Sequence, residues 1–126
     1  MKILVLEPDV NAHAQIRDAL ERDHELVITD DPEDALSCVN NVDLVVFEVR
    51  FPQKEDRDIH NGFIFINQVR KVKKDMPAVL LSRYYDDRDE VSRTVVRRYA
   101  NIGLPKPFTC VKLRDAVLEA HAEGWA

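Results

Sequence analysis

Five short apolar runs alternate along this chain with five segments of helical period, and that alternation limits the folds open to it more than any other feature. The runs, at 3–6, 26–28, 44–49, 78–81 and 102–104, are short and mainly apolar, the form of strands covered on both faces. Between them, 10–22 carries Ala12, Ile16, Ala19 and Leu20 on one side, 32–39 carries Ala35, Leu36 and Val39, and 62–72 carries Phe63, Ile66, Val69 and Val72. A fourth segment, 86–99, offers Val91, Val95 and Tyr99, and a fifth, 109–121, offers Leu113, Ala116, Val117 and Ala120. Asp31 before Pro32, Glu33 and Asp34 is a helix start: the aspartate accepts a backbone N–H, proline suits the first turn, and carboxylates favour the positive helix end. Asp86 and Asp87 are read as starting the fourth helix in the same way, and Thr109 as capping the fifth.

Strict β–α alternation with short connections predicts a doubly wound α/β fold, a five-stranded parallel sheet with five helices on its two faces. The 126 residues suit one domain with its own core, spanning 1–126. In such sheets the functional edge lies beyond the carboxyl ends of the strands. Glu7 and Asp9 after the first strand, Glu48 at the end of the third, Ser82 at the end of the fourth and Lys106 after the fifth are therefore expected to converge there.

Composition excludes several classes. A net charge of −5 disfavours a nonspecific nucleic-acid surface. Cys38 and Cys110 stand far apart without metal-type spacing, as reduced, partly buried thiols would. The first apolar run is too short for a signal peptide, and no stretch approaches the roughly 20 apolar residues that span a bilayer, so a cytoplasmic location is expected. His60 stands alone in a charged loop, and His13, His24 and His121 are read as helix-surface or helix-end residues. There is no Cys/His zinc pattern, no glycine-rich phosphate loop and no nucleophile–base pair, which disfavours a hydrolytic or small-ligand domain of flavodoxin type.

Four segments in order, Lys2 to Asp9, Asp43 to Pro52, Met76 to Ser82 and Leu104 to Phe108, together make the chain resemble the receiver domain of two-component response regulators over essentially its whole length. The resemblance implies an acidic pair and a third-strand aspartate that hold Mg²⁺. It implies that this aspartate accepts a phosphoryl group, that a Ser or Thr follows the phosphate, and that a lysine pairs with it. Phosphoryl transfer needs such an arrangement because a metal and a cation must neutralise charge spread over three oxygens.

This chain departs from that pattern. Glu7 matches the first acidic position, but Pro8 falls on the second and has neither a side-chain oxygen nor an N–H. Asp9 comes one residue late, so the metal site is read as degraded and no metal or other cofactor is expected. Glu48 falls on the phosphoacceptor and already carries a negative charge; its carboxylate is one methylene further out, where a small misplacement costs about 10²-fold in rate. Ser82 and Lys106 match the hydroxyl and the cation, and a lasting Glu48–Lys106 ion pair is expected. The resemblance also implies a cis Lys106–Pro107 bond. Gly103 stands where receivers carry a mobile aromatic ring, and Arg83 stands where they prefer a small residue; Arg83 either obstructs or binds the anionic site, or lies in solvent.

The run 53–61, containing Ile59, His60 and Asn61, is a charged insertion, either solvated or a lid or partner-binding loop, with Asn61-Gly62 turning into the third helix. Receivers commonly meet partners through the fourth helix, fifth strand and fifth helix. Arg93 and Arg97 with Asp115 and Glu119 could form reciprocal pairs in a homodimer through helices 86–99 and 109–121. The expected protein is thus a pseudo-receiver of bacterial two-component or related signalling. It binds a signalling partner, performs no catalysis, and touches neither nucleic acid nor membrane. It is either single-domain or cut from a larger protein. The alternative is a functioning, phosphoryl-accepting receiver with an atypical acidic site, one that uses Asp9 or Glu7 with Mg²⁺ in an unusual arrangement.

Overall fold

A computed structural model describes residues 1–51 and 61–126. The apolar runs form the strands β1 (Lys2–Leu6), β2 (Glu25–Thr29), β3 (Leu44–Glu48), β4 (Ala78–Ser82) and β5 (Ile102–Pro105). They make one parallel sheet of order β2-β1-β3-β4-β5. The helices are α1 (His13–Leu20), α2 (Pro32–Ser37), α3 (Asn61–Val72), α4 (Glu90–Arg97) and α5 (Cys110–Glu123), with single 3₁₀ turns at Val10–Ala12 and Val39–Asn41. The architecture is the doubly wound α/β fold that the alternation predicts.

Successive strand residues point to opposite faces, so each strand feeds two cores. Leu4, Leu6, Val45, Phe47, Ala78 and Leu80 meet Ala35, Phe65, Ile66, Val69 and Val96 from α2, α3 and α4. On the other face Ile3, Val5, Leu44, Val46, Val79 and Leu81 meet Ile16, Ala19 and Leu20 of α1 and Leu113, Ala116, Val117 and Ala120 of α5. Each large aliphatic or aromatic side chain so buried contributes about 1.5–3 kcal/mol. The register then aligns the strand ends: Leu6 lies beside Phe47, Glu48 beside Leu81, and Ser82 beside Pro105.

Several expectations are corrected. The first helix ends at Leu20, and a 3₁₀ turn replaces its first residues because Asp9 caps Val10–Ala12 by accepting the Asn11 N–H at 3.0 Å. The second ends at Ser37 before another 3₁₀ turn, although Asp31 caps it as expected. The fourth begins at Glu90, capped by Asp89; the Asp86 carboxylate is engaged instead with the Arg88 backbone and guanidinium. Its buried valine is Val96, while Val91 and Val95 face outward, as does Val72 of α3. The β2 strand is only half-covered, because it is an edge of the sheet. Of the run 53–61, residues 53–60, including Ile59 and His60, lie outside the described residues, whereas Asn61 begins α3. Cys38 and Cys110 are free and half-buried.

Two backbone features tighten the frame. A Cβ on Gly62 would fall 2.4 Å from the Glu48 carbonyl oxygen and 2.6 Å from Val49 Cα, so only glycine lets α3 start this close to the end of β3. At the opposite end of the sheet, buried Asn101 accepts the Ala78 N–H at 2.9 Å and donates to the Gly124 carbonyl at 2.7 Å, tying the end of α5 to β4. Among the described residues no helix is long and apolar enough to cross a membrane.

Candidate functional site

The carboxyl ends of β1 and β3 are neighbours at the point where strand order reverses, and they bring Glu7 and Glu48 together. Both side chains are buried. Lys106 enters from the end of β5, positioned by its own N–H donating to the Ser82 carbonyl at 3.1 Å and followed by a cis peptide bond to Pro107. Its ammonium donates to Glu48 Oε1 at 2.9 Å and to Glu7 Oε1. The remaining carboxylate oxygens are also engaged. Glu48 Oε2 accepts the Val49 N–H at 2.6 Å, and Glu7 Oε2 accepts the Asp9 N–H at 3.3 Å.

Two carboxylates thus share one ammonium in a nearly dry site, where each interaction is stronger than in water. Burial pushes the Glu7 carboxyl above its ordinary value, outweighing the Lys106 ammonium that pulls it down. Burial alone would lower Lys106, but its hydrogen bonds and charge interactions with Glu7 and Glu48 prevail and hold it above the ordinary lysine value. The directions agree physically: a cluster with more anion than cation retains protons.

An open pocket of about 480 Å³ stands over this cluster, lined by Glu7, Pro8, Asp9, Glu48, Arg50, Arg83, Tyr84 and Lys106. Arg83 is exposed on its rim. Ser82 is brought to the same edge but lines the neighbouring cavity, where its hydroxyl accepts the Tyr84 N–H at 3.0 Å. Gly103 lies under the ring of Tyr85; a Cβ there would sit 2.8 Å from Tyr85 Cε2. Two participants were not foreseen. His13 Nε2 donates to the Glu7 carbonyl at 2.8 Å and steadies the end of β1, and the Arg50 guanidinium stacks 4.3 Å above the Tyr84 ring. The Val10-Asn11-Ala12-His13 turn after Asp9 was the available signal for the first; nothing local in the sequence pairs Arg50 with Tyr84.

The donor set does not fit a divalent cation as it stands. Mg²⁺ demands near-octahedral oxygen coordination. Here Pro8 contributes no side-chain oxygen, Asp9 is turned to cap the 3₁₀ helix, and the Glu7 and Glu48 oxygens face Lys106 and backbone N–H groups. Among the described residues no three His, Cys, Asp or Glu side chains gather as metal ligands would.

The sequence matches no family model and no curated protein. Solved structures do resemble it. A CheY-like response regulator receiver domain protein from Methanospirillum hungatei JF-1 superposes with a TM-score of 0.75 at 18% identity, over 97% of this chain and 94% of that one. The receiver domain of the Francisella response regulator 1452 gives 0.75 at 22% identity over 97% of each chain. CheY4 of Vibrio cholerae gives 0.75 at 20% identity, over 94% of this chain and 97% of that one. The fold is therefore that of response regulator receiver domains, with an acidic cluster and a lysine at the functional edge.

Proposed function

We propose that this is a receiver-type signalling domain that works by protein–protein recognition with no phosphoryl turnover, Glu48 standing as a fixed charge at the acceptor position. The observation that carries the reading is the placement of Lys106: its ammonium already lies between two buried carboxylates. A phosphoryl group arriving at Glu48 would bring about −1.5 to −2 charge beside Glu7 and would have to draw the lysine away from both partners. Without a cation set to offset that charge, the loose transition state of phosphoryl transfer has nothing to stabilise it. Pro8 and the capping role of Asp9 support the same reading, since they remove the oxygens that would hold a metal.

The internal ion pair does what a phosphate–lysine pair would otherwise do, which is to hold the carboxyl ends of β1, β3 and β5 in one arrangement. The output is then a constitutive surface for a signalling partner. The exposed Arg97, Val111, Asp115, Leu118 and Glu119 of α4 and α5 suit such contacts, a homodimer among them, while Arg93 also donates to the Asp87 carbonyl at 2.8 Å. The test is an amide NMR titration with Mg²⁺ and beryllofluoride, a phosphoryl analogue. Unshifted resonances for Val49, Ser82 and Lys106 are expected; saturable Mg²⁺-dependent shifts at those residues would overturn the proposal.

A further inference from the structure

At the amino end of the sheet, remote from the acidic cluster, α5 is followed by a turn that brings the chain back onto α3. Gly124 makes the turn with φ 67° and ψ 177°, a conformation open almost only to glycine, and its N–H donates to the Ala120 carbonyl at 3.0 Å. Buried Asn101 holds the turn from the β5 side by donating to the Gly124 carbonyl at 2.7 Å and to Glu123 Oε1 at 3.1 Å. Trp125, the single tryptophan of the chain, is thereby laid against the guanidinium of Arg70 in α3, 3.5 Å from its ring centroid.

That guanidinium is a junction. Its Nε and Nη2 donate to the Met76 carbonyl just before β4 at 3.2 and 3.1 Å, and its Nη1 donates to the Tyr99 carbonyl just after α4. Its partners are thus carbonyl oxygens and a ring face rather than a carboxylate. Burial pushes Arg70 down to about 10, which leaves it charged at neutrality but short of water. A cation so placed gains most from an aromatic face, and its hydrogen bonds are strongest while water is kept away. At its far end the junction holds a lightly packed helix. Of the eight residues of α4, Val96 is the one that is buried, whereas α5 buries Leu113, Ala116, Val117 and Ala120. Segments with few buried contacts open locally at small cost, so α4 depends on how its ends are tied.

We propose that Gly124 and Trp125 form a strap that sets the position of α4 from the end of the sheet opposite Glu48. Docked, Trp125 shelters Arg70 and so fixes the Tyr99 carbonyl; released, it admits water to the guanidinium and frees the last turn of α4. Anything that draws the indole away would therefore reach the α4 surface without chemistry at the acidic cluster. The coupling stands on these contacts alone; its use as a signalling input rests on α4 being a partner surface, as proposed above.

The experiment is amide hydrogen exchange followed by NMR on the full chain, comparing the parent with Trp125→Ala, Gly124→Ala and Arg70→Met. The N–H groups of Arg98, Tyr99 and Ala100, which donate to the Val95 and Val96 carbonyls, should exchange about tenfold faster in each variant. The Ala35 N–H, bonded to the Asp31 carbonyl at the other end of the sheet, should keep the parent rate. Gly124→Ala removes no contact and meets nothing within 4 Å, so it acts only through the strain of the turn. It and Trp125→Ala leave the Arg70 hydrogen bonds in place, and keep the test valid should Arg70→Met unfold. In Gly124→Ala and Arg70→Met the Trp125 emission should move to longer wavelength, as a solvated indole requires. Parent-like exchange at Tyr99 and Ala100 in Trp125→Ala would overturn the proposal. So would an equal rise at Ala35, which marks a general loss of stability, or an unmoved emission in both other variants.

Discussion

Replacing Lys106 with methionine isolates the central interaction, because it keeps most of the length and volume of the side chain while removing its charge. Lys106 is 15% exposed as a side chain, Glu7 0% and Glu48 8%, so the variant leaves two carboxylates side by side out of water. Breaking a buried ion pair from one side costs about 3–5 kcal/mol. For a domain of this length that corresponds to a fall in melting temperature of roughly 10–20 °C. The loss should depend on pH with a definite sign. Glu7 already titrates above its ordinary value of 4.5 through burial, and without the ammonium its carboxyl rises further. A raised carboxyl makes the folded state bind the proton more tightly, so stability falls as pH rises through the interval above 4.5. The deficit of Lys106→Met should therefore be largest near neutrality and shrink as the pH is lowered toward 4.5. In the parent protein the Lys106 contribution is complete below the ordinary lysine value of 10.5 and disappears only as pH rises through its elevated folded value. Urea denaturation of both proteins from acid to neutral pH is the assay. A deficit under about 1 kcal/mol, or one independent of pH, would refute the reasoning, since it is what an exposed pair would give.

Other perturbations probe the frame and the missing chemistry. Gly62→Ala places a methyl against the backbone of Glu48 and Val49, which cannot rotate away, and should destabilise by at least about 1–3 kcal/mol; a melting temperature equal to the parent's would contradict the close approach. Asn101→Ala strands the buried Ala78 N–H and releases the Gly124 carbonyl, with an expected cost of about 1–3 kcal/mol in equilibrium urea unfolding; no change would mean that the tie between β4 and the end of α5 is not stabilising. Glu48→Asp alone should remain unphosphorylated by a small phosphodonor with Mg²⁺, whereas Pro8→Asp combined with Glu48→Asp should gain a measurable acyl phosphate by restoring both a ligand and the shorter acceptor. Labelling of the single variant equal to that of the double would show that Pro8 is not limiting.

The strands were legible because each is built on a short, mainly apolar run, with β1, β3 and β4 almost wholly buried, and α5 because Thr109 and the set Leu113, Ala116, Val117 and Ala120 agree on one face. The fourth helix was less so. Both Asp86 and Asp89 can cap; Asp86 is held by the nearby Arg88 backbone and guanidinium, and Asp89 takes the cap, while which valines are buried follows from how α4 leans on β5, which its own spacing does not encode. At the site, the Glu48–Lys106 contact could be anticipated from the order of motifs. The share taken by Glu7 could not, because it depends on the register that places the ends of β1 and β3 side by side. The use of Asp9 as a cap was likewise hidden, since the same aspartate one residue earlier would have had an unrelated role. The Tyr85 ring over Gly103 joins the segment after β4 to β5; the sequence marked Gly103 as lacking a ring of its own but gave no local sign that Tyr85 would cover it.

Intact mass spectrometry of the unmodified protein after incubation with acetyl phosphate and Mg²⁺ puts the closed Glu7–Lys106–Glu48 cluster to its most direct test. An unchanged mass is the predicted result; a species heavier by one phosphoryl group, with the modification mapped to Glu48, Glu7 or Asp9, would contradict it.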